Sequence, residues 1–123
     1  MRYKFRALDI ATKKWVYGYY VVLDSGYGLI DCIWQLGAER ATPINPDTLG
    51  QFTGLTDVNG REIYEGDIIT SEDNFNKGKL VYRYGCFQIK YGREKYKSLI
   101  NTAYPEVIGN IYQHKDLLKE NEK

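Results

Sequence analysis

The chain has 123 residues, a net charge of +1 and a globular composition, with 43% hydrophobic and 27% charged residues. These values exclude wholesale disorder, and they give the chain no overall attraction to nucleic acid or membranes. No apolar run approaches the roughly 20 residues that cross a bilayer, and the charged N-terminus has no signal-peptide h-region. We expect a single cytoplasmic domain, residues 1–123, without disulfide, metal or cofactor.

Short strands separated by glycine-containing turns run along the chain. Their segments are aromatic or β-branched, and several alternate apolar with polar side chains. The predicted strands are 3–8, 15–23, 29–35, 68–70, a hairpin at 79–91 that turns near Tyr84–Gly85, 97–102 and 107–112. Loops are predicted at 37–47 and 71–78, and a short helix at 115–123. This pattern predicts an all-β barrel or sandwich.

Two features of the N-terminal strands are informative. Phe5 alternates with Lys4 and Arg6, which predicts a strand at 3–8 with one face in solvent. Gly18 interrupts an aromatic run and suggests a bulge.

The chain has 12 tyrosines, which suit half-buried sheet positions and are also common at binding interfaces.

The residues that usually carry catalysis are scarce. His114, the one histidine, is predicted to be an exposed polar residue rather than a general base or a metal ligand. Cys32 and Cys86 are predicted to be free thiols, with a disulfide as the alternative. The spacing of these residues matches no zinc site, and the glycines form no phosphate-binding loop.

Carboxylates are the remaining source of acid–base or metal chemistry. Glu62, Glu65 and Asp67 lie close together in the sequence, followed by Glu72 and Asp73. Paired carboxylates can hold a divalent metal, but Asp67 falls in a predicted turn, where Asp commonly bonds the backbone. The chain is therefore predicted not to be an enzyme, and metal-dependent catalysis near Asp67 is kept as an alternative.

A family resemblance covers most of the chain. Residues 51–69, QFTGLTDVNGREIYEGDII, resemble the signature block of the YopX family of phage and prophage proteins. Lys4–Ala7 with Trp15, and Glu106–Tyr112 followed by Leu117–Leu118, are similar to the family's opening and closing blocks. The resemblance implies an all-β fold with a small SH3-type barrel, extra N-terminal hairpin strands and a short C-terminal helix. It also implies a phage accessory protein of unestablished biochemical function.

The signature block has a structural explanation that requires no ligand. Its glycines can supply turns, and its isoleucines and tyrosine can supply core. The residues assigned this structural role are Gly54, Gly60, Tyr64, Gly66, Asp67 and Gly109.

The small net charge conceals a segregation of charges along the chain. Between residues 44 and 75 one base, Arg61, accompanies the acids Asp47, Asp57, Glu62, Glu65, Asp67, Glu72 and Asp73. Between residues 76 and 97 one acid, Glu94, accompanies the bases Lys77, Lys79, Arg83, Lys90, Arg93, Lys95 and Lys97.

Three interpretations of this segregation remain open. Acidic and basic strands can neutralise each other inside the fold, or complementary patches can join copies of the chain or bind a host or phage protein. Alternatively, the basic segment with its tyrosines can bind single-stranded nucleic acid, which uses phosphate-binding cations and base-stacking rings. The residues predicted for such a contact are Arg83, Lys90, Tyr91, Arg93, Lys95 and Tyr96. The sequence predicts a non-enzymatic binding protein and leaves the partner open.

Overall fold

The computed structural model describes residues 4–71 and 77–121, which form an all-β protein. The strands are β1 (Phe5–Leu8), β2 (Trp15–Asp24), β3 (Leu29–Trp34), β4 (Thr42–Pro43), β5 (Gly50–Thr56), β6 (Glu62–Tyr64), β7 (Asp67–Thr70), β8 (Lys77–Arg83), β9 (Cys86–Tyr91), β10 (Lys95–Ser98) and β11 (Glu106–Asn110). Short 3₁₀-helices lie at Pro46–Thr48, Leu99–Asn101 and Lys115–Asn121. One sheet has the strand order β4-β3-β2-β1-β5-β6, and the other has the order β10-β9-β8-β7-β11.

The chain divides into two compact units, and the first, Met1–Phe52, is built around a long β-hairpin. β2 pairs with β3 from Tyr19 opposite Trp34 to Asp24 opposite Leu29. The first half of β2 pairs with β1, where Ala7 lies opposite Val16. These two residues are buried with Ile33 and Ile44, and Phe5, Tyr20 and Leu49 pack against them. Removing this apolar area from water stabilises the unit by about 25 cal/mol per Å².

The side of β1 that was predicted to face solvent is buried at Arg6. Arg6, expected in solvent, is only 5% exposed, and its guanidinium lies 4.2 Å from the centre of the Trp15 ring. A guanidinium tolerates such a position better than an ammonium because it is planar, weakly hydrated and stacks on aromatic faces. The prediction of a solvent-facing side is therefore wrong at Arg6.

The second unit, Thr53–Lys123, contains the five-stranded antiparallel sheet. Its strands are short and neighbouring strands are close in sequence, except that β11 returns to pair with β7. One side of the sheet carries apolar residues at alternate positions, as a strand with one buried face requires. The buried core of this unit contains Ile63, Ile69, Leu80, Ile89, Leu99 and Val107.

The predicted hairpins are confirmed, but not every predicted strand is. The 79–91 segment forms β8 and β9 around Tyr84–Gly85, as predicted. The strand predicted at 97–102 is wrong beyond Ser98, where the chain enters a 3₁₀-helix. The Thr102 hydroxyl donates to the Ser98 carbonyl, and this local bond competes with a strand ladder.

Two further predictions need correction. The described strands form two antiparallel sheets and no closed barrel, so the SH3-type barrel that the resemblance implied is not confirmed. The helix predicted at 115–123 is a 3₁₀-helix over Lys115–Asn121, and residues 122–123 lie outside the described residues. The loop predicted at 37–47 also contains the two-residue strand β4.

The signature block forms hydrogen-bonded turns. The carboxylate of Asp57 accepts from the backbone N–H groups of Asn59, Arg61 and Val107, each at 2.9 Å. Gly60 closes the same turn with φ 80°, a conformation that a residue without Cβ adopts at little cost. The signature therefore has a structural role at these positions.

Gly109 lies at a bulge in β11, beside His114. The backbone N–H of Asn110 donates to Nδ1 of His114 at 3.1 Å, which holds the imidazole ring over the glycine. A Cβ on Gly109 would lie 2.9 Å from both Cγ and Nδ1 of that ring. His114 is exposed, as predicted, and its ring also accepts a hydrogen bond within this turn.

We expect Gly109→Ala to lower the free energy of unfolding by about 2 kcal/mol, because the methyl group overlaps the His114 ring. Urea denaturation measures the change. Gly109→Ala should cost less in a His114→Ala background, because that background lacks two of the overlapping atoms. An equal cost of Gly109→Ala in the two backgrounds would contradict this explanation.

Candidate partner-binding face

The basic residues of strands β8 and β9 lie on one side of the sheet formed by β8, β9 and β10. Lys79 lies opposite Lys90 in the β8–β9 pair, and Lys90 lies opposite Tyr96 in the β9–β10 pair. Directly opposed residues of antiparallel strands point to the same side of the sheet. Arg83, four residues after Lys79 in β8, shares this side. We call the surface formed by Lys79, Arg83, Lys90 and Tyr96 the basic face.

Cation–aromatic contacts connect the residues of the basic face. The Arg83 guanidinium lies 3.8 Å from the centre of the Tyr96 ring and 4.5 Å from that of Tyr84. The Lys90 ammonium lies 6.0 Å from the centre of the Tyr96 ring. These side chains are half-buried, except for Tyr84, which is 85% exposed. Long basic side chains commonly cover apolar surface with their stems while the charge stays in water.

The structure separates the residues that the sequence predicted as a binding group. Arg83, Lys90 and Tyr96 lie together, whereas Tyr91 packs against the core from the other side of the sheet, opposite Lys95. Arg93 lies in the exposed turn between β9 and β10. The alternation of strand residues already implied that Lys90 and Tyr91 point to opposite sides.

Lys95 and Lys97 also have a structural explanation. They lie on β10, which is an edge strand of the five-stranded sheet. Lysines on an edge strand oppose pairing with the edge of another molecule. Lys79, by contrast, was not among the residues predicted for the contact, and the pairing of β8 with β9 places it opposite Lys90. Tyr84, one of the tyrosines of the basic segment, follows Arg83 directly in the sequence.

The strand register of the second unit does not pair acids with bases. In the described strands of the five-stranded sheet, no Lys or Arg lies directly opposite an Asp or Glu. The signature acids Asp57 and Asp67 instead accept backbone N–H groups, from Val107 and Tyr64 among others. Glu72 and Asp73 lie outside the described residues. Charge neutralisation between directly opposed strand residues is therefore absent from this sheet.

The remaining candidates for metal-binding or reactive residues do not lie together in the described part of the chain. Within residues 4–71 and 77–121, no group of three or more His, Cys, Asp or Glu side chains is positioned to hold a metal ion. Cys32 is buried and Cys86 is exposed, and both are free thiols. Burial, followed by the nearby charge of Asp31, raises the pKa of the Cys32 thiol.

The first unit presents a different surface, at the distal part of the β2–β3 hairpin. Val22 and Leu29 are exposed on one side of this hairpin, and Leu23 and Ile30 are exposed on the other. Tyr27, in the turn, is fully exposed. Residues 15–34 include no Lys or Arg. The hairpin end thus exposes apolar side chains on both sides, with Asp24 and Asp31 on the side of Val22 and Leu29, in contrast to the basic face.

Comparison with known proteins places the chain in a family. The family model described as YopX protein matches residues 4–119. The protein belongs to the YopX family. The crystal structure of protein EF1440 from Enterococcus faecalis is similar to this YopX chain, with a TM-score of 0.57 and 25% sequence identity. That similarity covers 95% of this chain and 98% of EF1440.

The YopX match covers most of both units and includes strands β8–β10 of the second unit, which carry the basic face. No match was found among curated proteins. Within the part of the YopX chain that the structure describes, no helix has the length and apolar character needed to cross a bilayer.

Proposed function

We propose that this YopX-family protein is a non-enzymatic binding protein and that its basic face binds nucleic acid. The observation that carries the proposal is the cluster of Lys79, Arg83 and Lys90 around Tyr96 on one side of three adjacent strands. Several positive charges on one sheet surface can neutralise neighbouring phosphates and release their counterions.

The arrangement of these charges supports a binding role over a purely structural one. Lys79 and Lys90 are directly opposed, and like charges at opposed positions of a strand pair are destabilising. If the two lysines only kept the protein soluble, the sheet would be more stable with them on opposite sides, or with each of them opposite an acidic residue. An anionic partner would remove this repulsion, since each phosphate would lie near both ammonium groups.

The alternative of metal-dependent catalysis at Asp67 has less support. Asp67 is 1% exposed, and its Oδ2 accepts the backbone N–H of Tyr64 at 2.7 Å. A carboxylate used in this way stabilises the turn between β6 and β7, as Asp commonly does in turns.

The family resemblance further supports a phage or prophage accessory role in the cytoplasm of a bacterial host, which we include in the proposal.

We expect the protein to bind fluorescein-labelled oligonucleotides with an affinity that falls linearly with salt concentration on a log–log plot. Changing both Lys79 and Lys90 to Gln should reduce the slope by about 1.4, because each phosphate contact contributes roughly 0.7 on a single strand. Fluorescence anisotropy at several salt concentrations measures both the affinity and the slope.

The matched control changes Lys95 and Lys97 to Gln. This variant removes the same charge from the same sheet, but from exposed positions that point to the other side. Its slope should stay near that of the unchanged protein. Equal effects of both variants would contradict a contact through the basic face. Polyglutamate that competes as well as the oligonucleotide, charge for charge, would point to an acidic protein instead.

A further inference from the structure

The turn between β8 and β9 has an unusual residue at its tip. Tyr84 and Gly85 both have positive φ, 52° and 79°, and connect Arg83 to Cys86 as a two-residue hairpin loop. These angles define a type I′ turn, whose first position favours Asn, Asp or Gly. A bulky residue with positive φ is uncommon and locally strained. Asparagine would therefore suit the turn better than tyrosine does.

The Tyr84 ring is presented to solvent and also held in place. The residue is 85% exposed, so the ring is not part of the core. The Arg83 guanidinium lies against it at 4.5 Å from the ring centre and contacts Tyr96 at 3.8 Å. Because one cation lies near both rings, the tip is joined to the basic face. The ring of Tyr84 then has a supported side and an open side.

We propose that Tyr84 is a base-stacking residue that makes the basic face a single-strand binding site, an inference that rests on the proposed nucleic-acid function. Arg83 and the lysines contact phosphates, and the open side of the Tyr84 ring stacks on an unpaired base. Stacking on an aromatic ring tolerates any base, since every base has a π-face. In a duplex both faces of each base are already covered by its neighbours, so the ring finds no equivalent surface.

The test compares two variants on three probes of about 12 nucleotides, a length within the range of roughly 4–16 nucleotides that single-strand binding modules cover. The probes are labelled single-stranded oligothymidine, its duplex with oligoadenosine, and an abasic strand with the same phosphates. Tyr84→Asn should weaken binding to oligothymidine about tenfold, while Tyr84→Phe, which keeps the ring, should bind normally. Neither variant should change binding to the abasic strand.

Two controls separate stacking from a change in folding. Tyr84→Asn should retain or raise the melting temperature, because Asn is favoured at this position of the turn. Tyr27→Asn changes a fully exposed tyrosine in the turn of β2–β3, where residues 15–34 have no Lys or Arg, and should leave binding unchanged. An equal loss with Tyr27→Asn would overturn the assignment to Tyr84.

The exposed thiol next to the tip gives a second readout. Cys86 follows Gly85 directly and is exposed, whereas Cys32 is buried. Oligothymidine should slow alkylation of Cys86 severalfold, and the abasic strand should protect it less. If Tyr84→Asn binds oligothymidine normally while the Lys79 and Lys90 variant does not, the stacking proposal is overturned and the proposed function stands. If no oligonucleotide binds, both are overturned.

Discussion

Asp57→Ala should lower the free energy of unfolding by roughly 4 kcal/mol, the largest loss that we expect from a single substitution outside the hydrophobic core. The carboxylate accepts three backbone N–H groups, from Asn59, Arg61 and Val107. The bond to Val107 is buried, so no water can replace the missing acceptor there. Each unsatisfied group costs about 1–3 kcal/mol. Urea denaturation of the full chain measures the change.

Two control variants test the origin of this loss. Asp57→Asn keeps one carbonyl oxygen and should lose about half as much stability, because the amide group cannot accept from the remaining N–H. Asp24→Ala removes an exposed carboxylate that accepts from Gly26, and should cost about 0.5 kcal/mol. If Asp57→Ala costs as little as Asp24→Ala, the Asp57 carboxylate does not stabilise the fold as a hydrogen-bond acceptor, and its structural role is contradicted.

Gly18→Ala should destabilise the protein by about 3 kcal/mol, because the added Cβ would collide with backbone atoms. It would overlap the carbonyl oxygen of Trp34 and lie 2.8 Å from the carbonyl carbon of Trp34 and 2.9 Å from Cα of Gln35. Backbone cannot move aside as a side chain can, so β3 would have to shift away from β2. Thermal and urea unfolding both report the loss. Gly18 thus marks a close approach of two segments of backbone.

Gly28→Ala is the matched control for this substitution. Gly28 lies in the same β2–β3 hairpin and has φ 142°, close to the 159° of Gly18, but nothing lies within 4 Å of its added Cβ. Backbone strain alone should cost this variant about 1 kcal/mol. The difference between the two variants therefore isolates the collision with Trp34. Equal losses would attribute the effect at Gly18 to backbone conformation instead.

The local structure of the hairpins could be predicted from residues close in sequence. The aromatic and β-branched run of 15–23 indicates a strand because such side chains suit a pleated surface, and Tyr84–Gly85 indicates a turn because glycine accepts positive φ. β5 (Gly50–Thr56) was not predicted, because Gly50 and Gly54 interrupt its strand-forming residues. Its pairing with β1 joins residues far apart in the chain.

The sequence predicted which segment carries the candidate site, but it did not predict which residues of that segment lie together. The basic segment at 77–97 stands out from the charges alone. Strand alternation could have separated Lys90 from Tyr91 and Lys95 from Tyr96. Neither the charge pattern nor strand alternation could predict that Arg83 lies beside Tyr96, because that contact depends on the pairing of β9 with both β8 and β10. Register is set by turns and by packing of the buried face.

The sequence alone determined the all-β class, the family and the segregation of charge, since each follows from residue type and local order. Tertiary structure decided which charges meet, why Arg6 is buried under Trp15, and that the described strands form two sheets. It also assigned the acceptor role of Asp57, whose partner Val107 lies 50 residues away. Such contacts depend on the folded chain bringing distant backbone groups together, which no local pattern records.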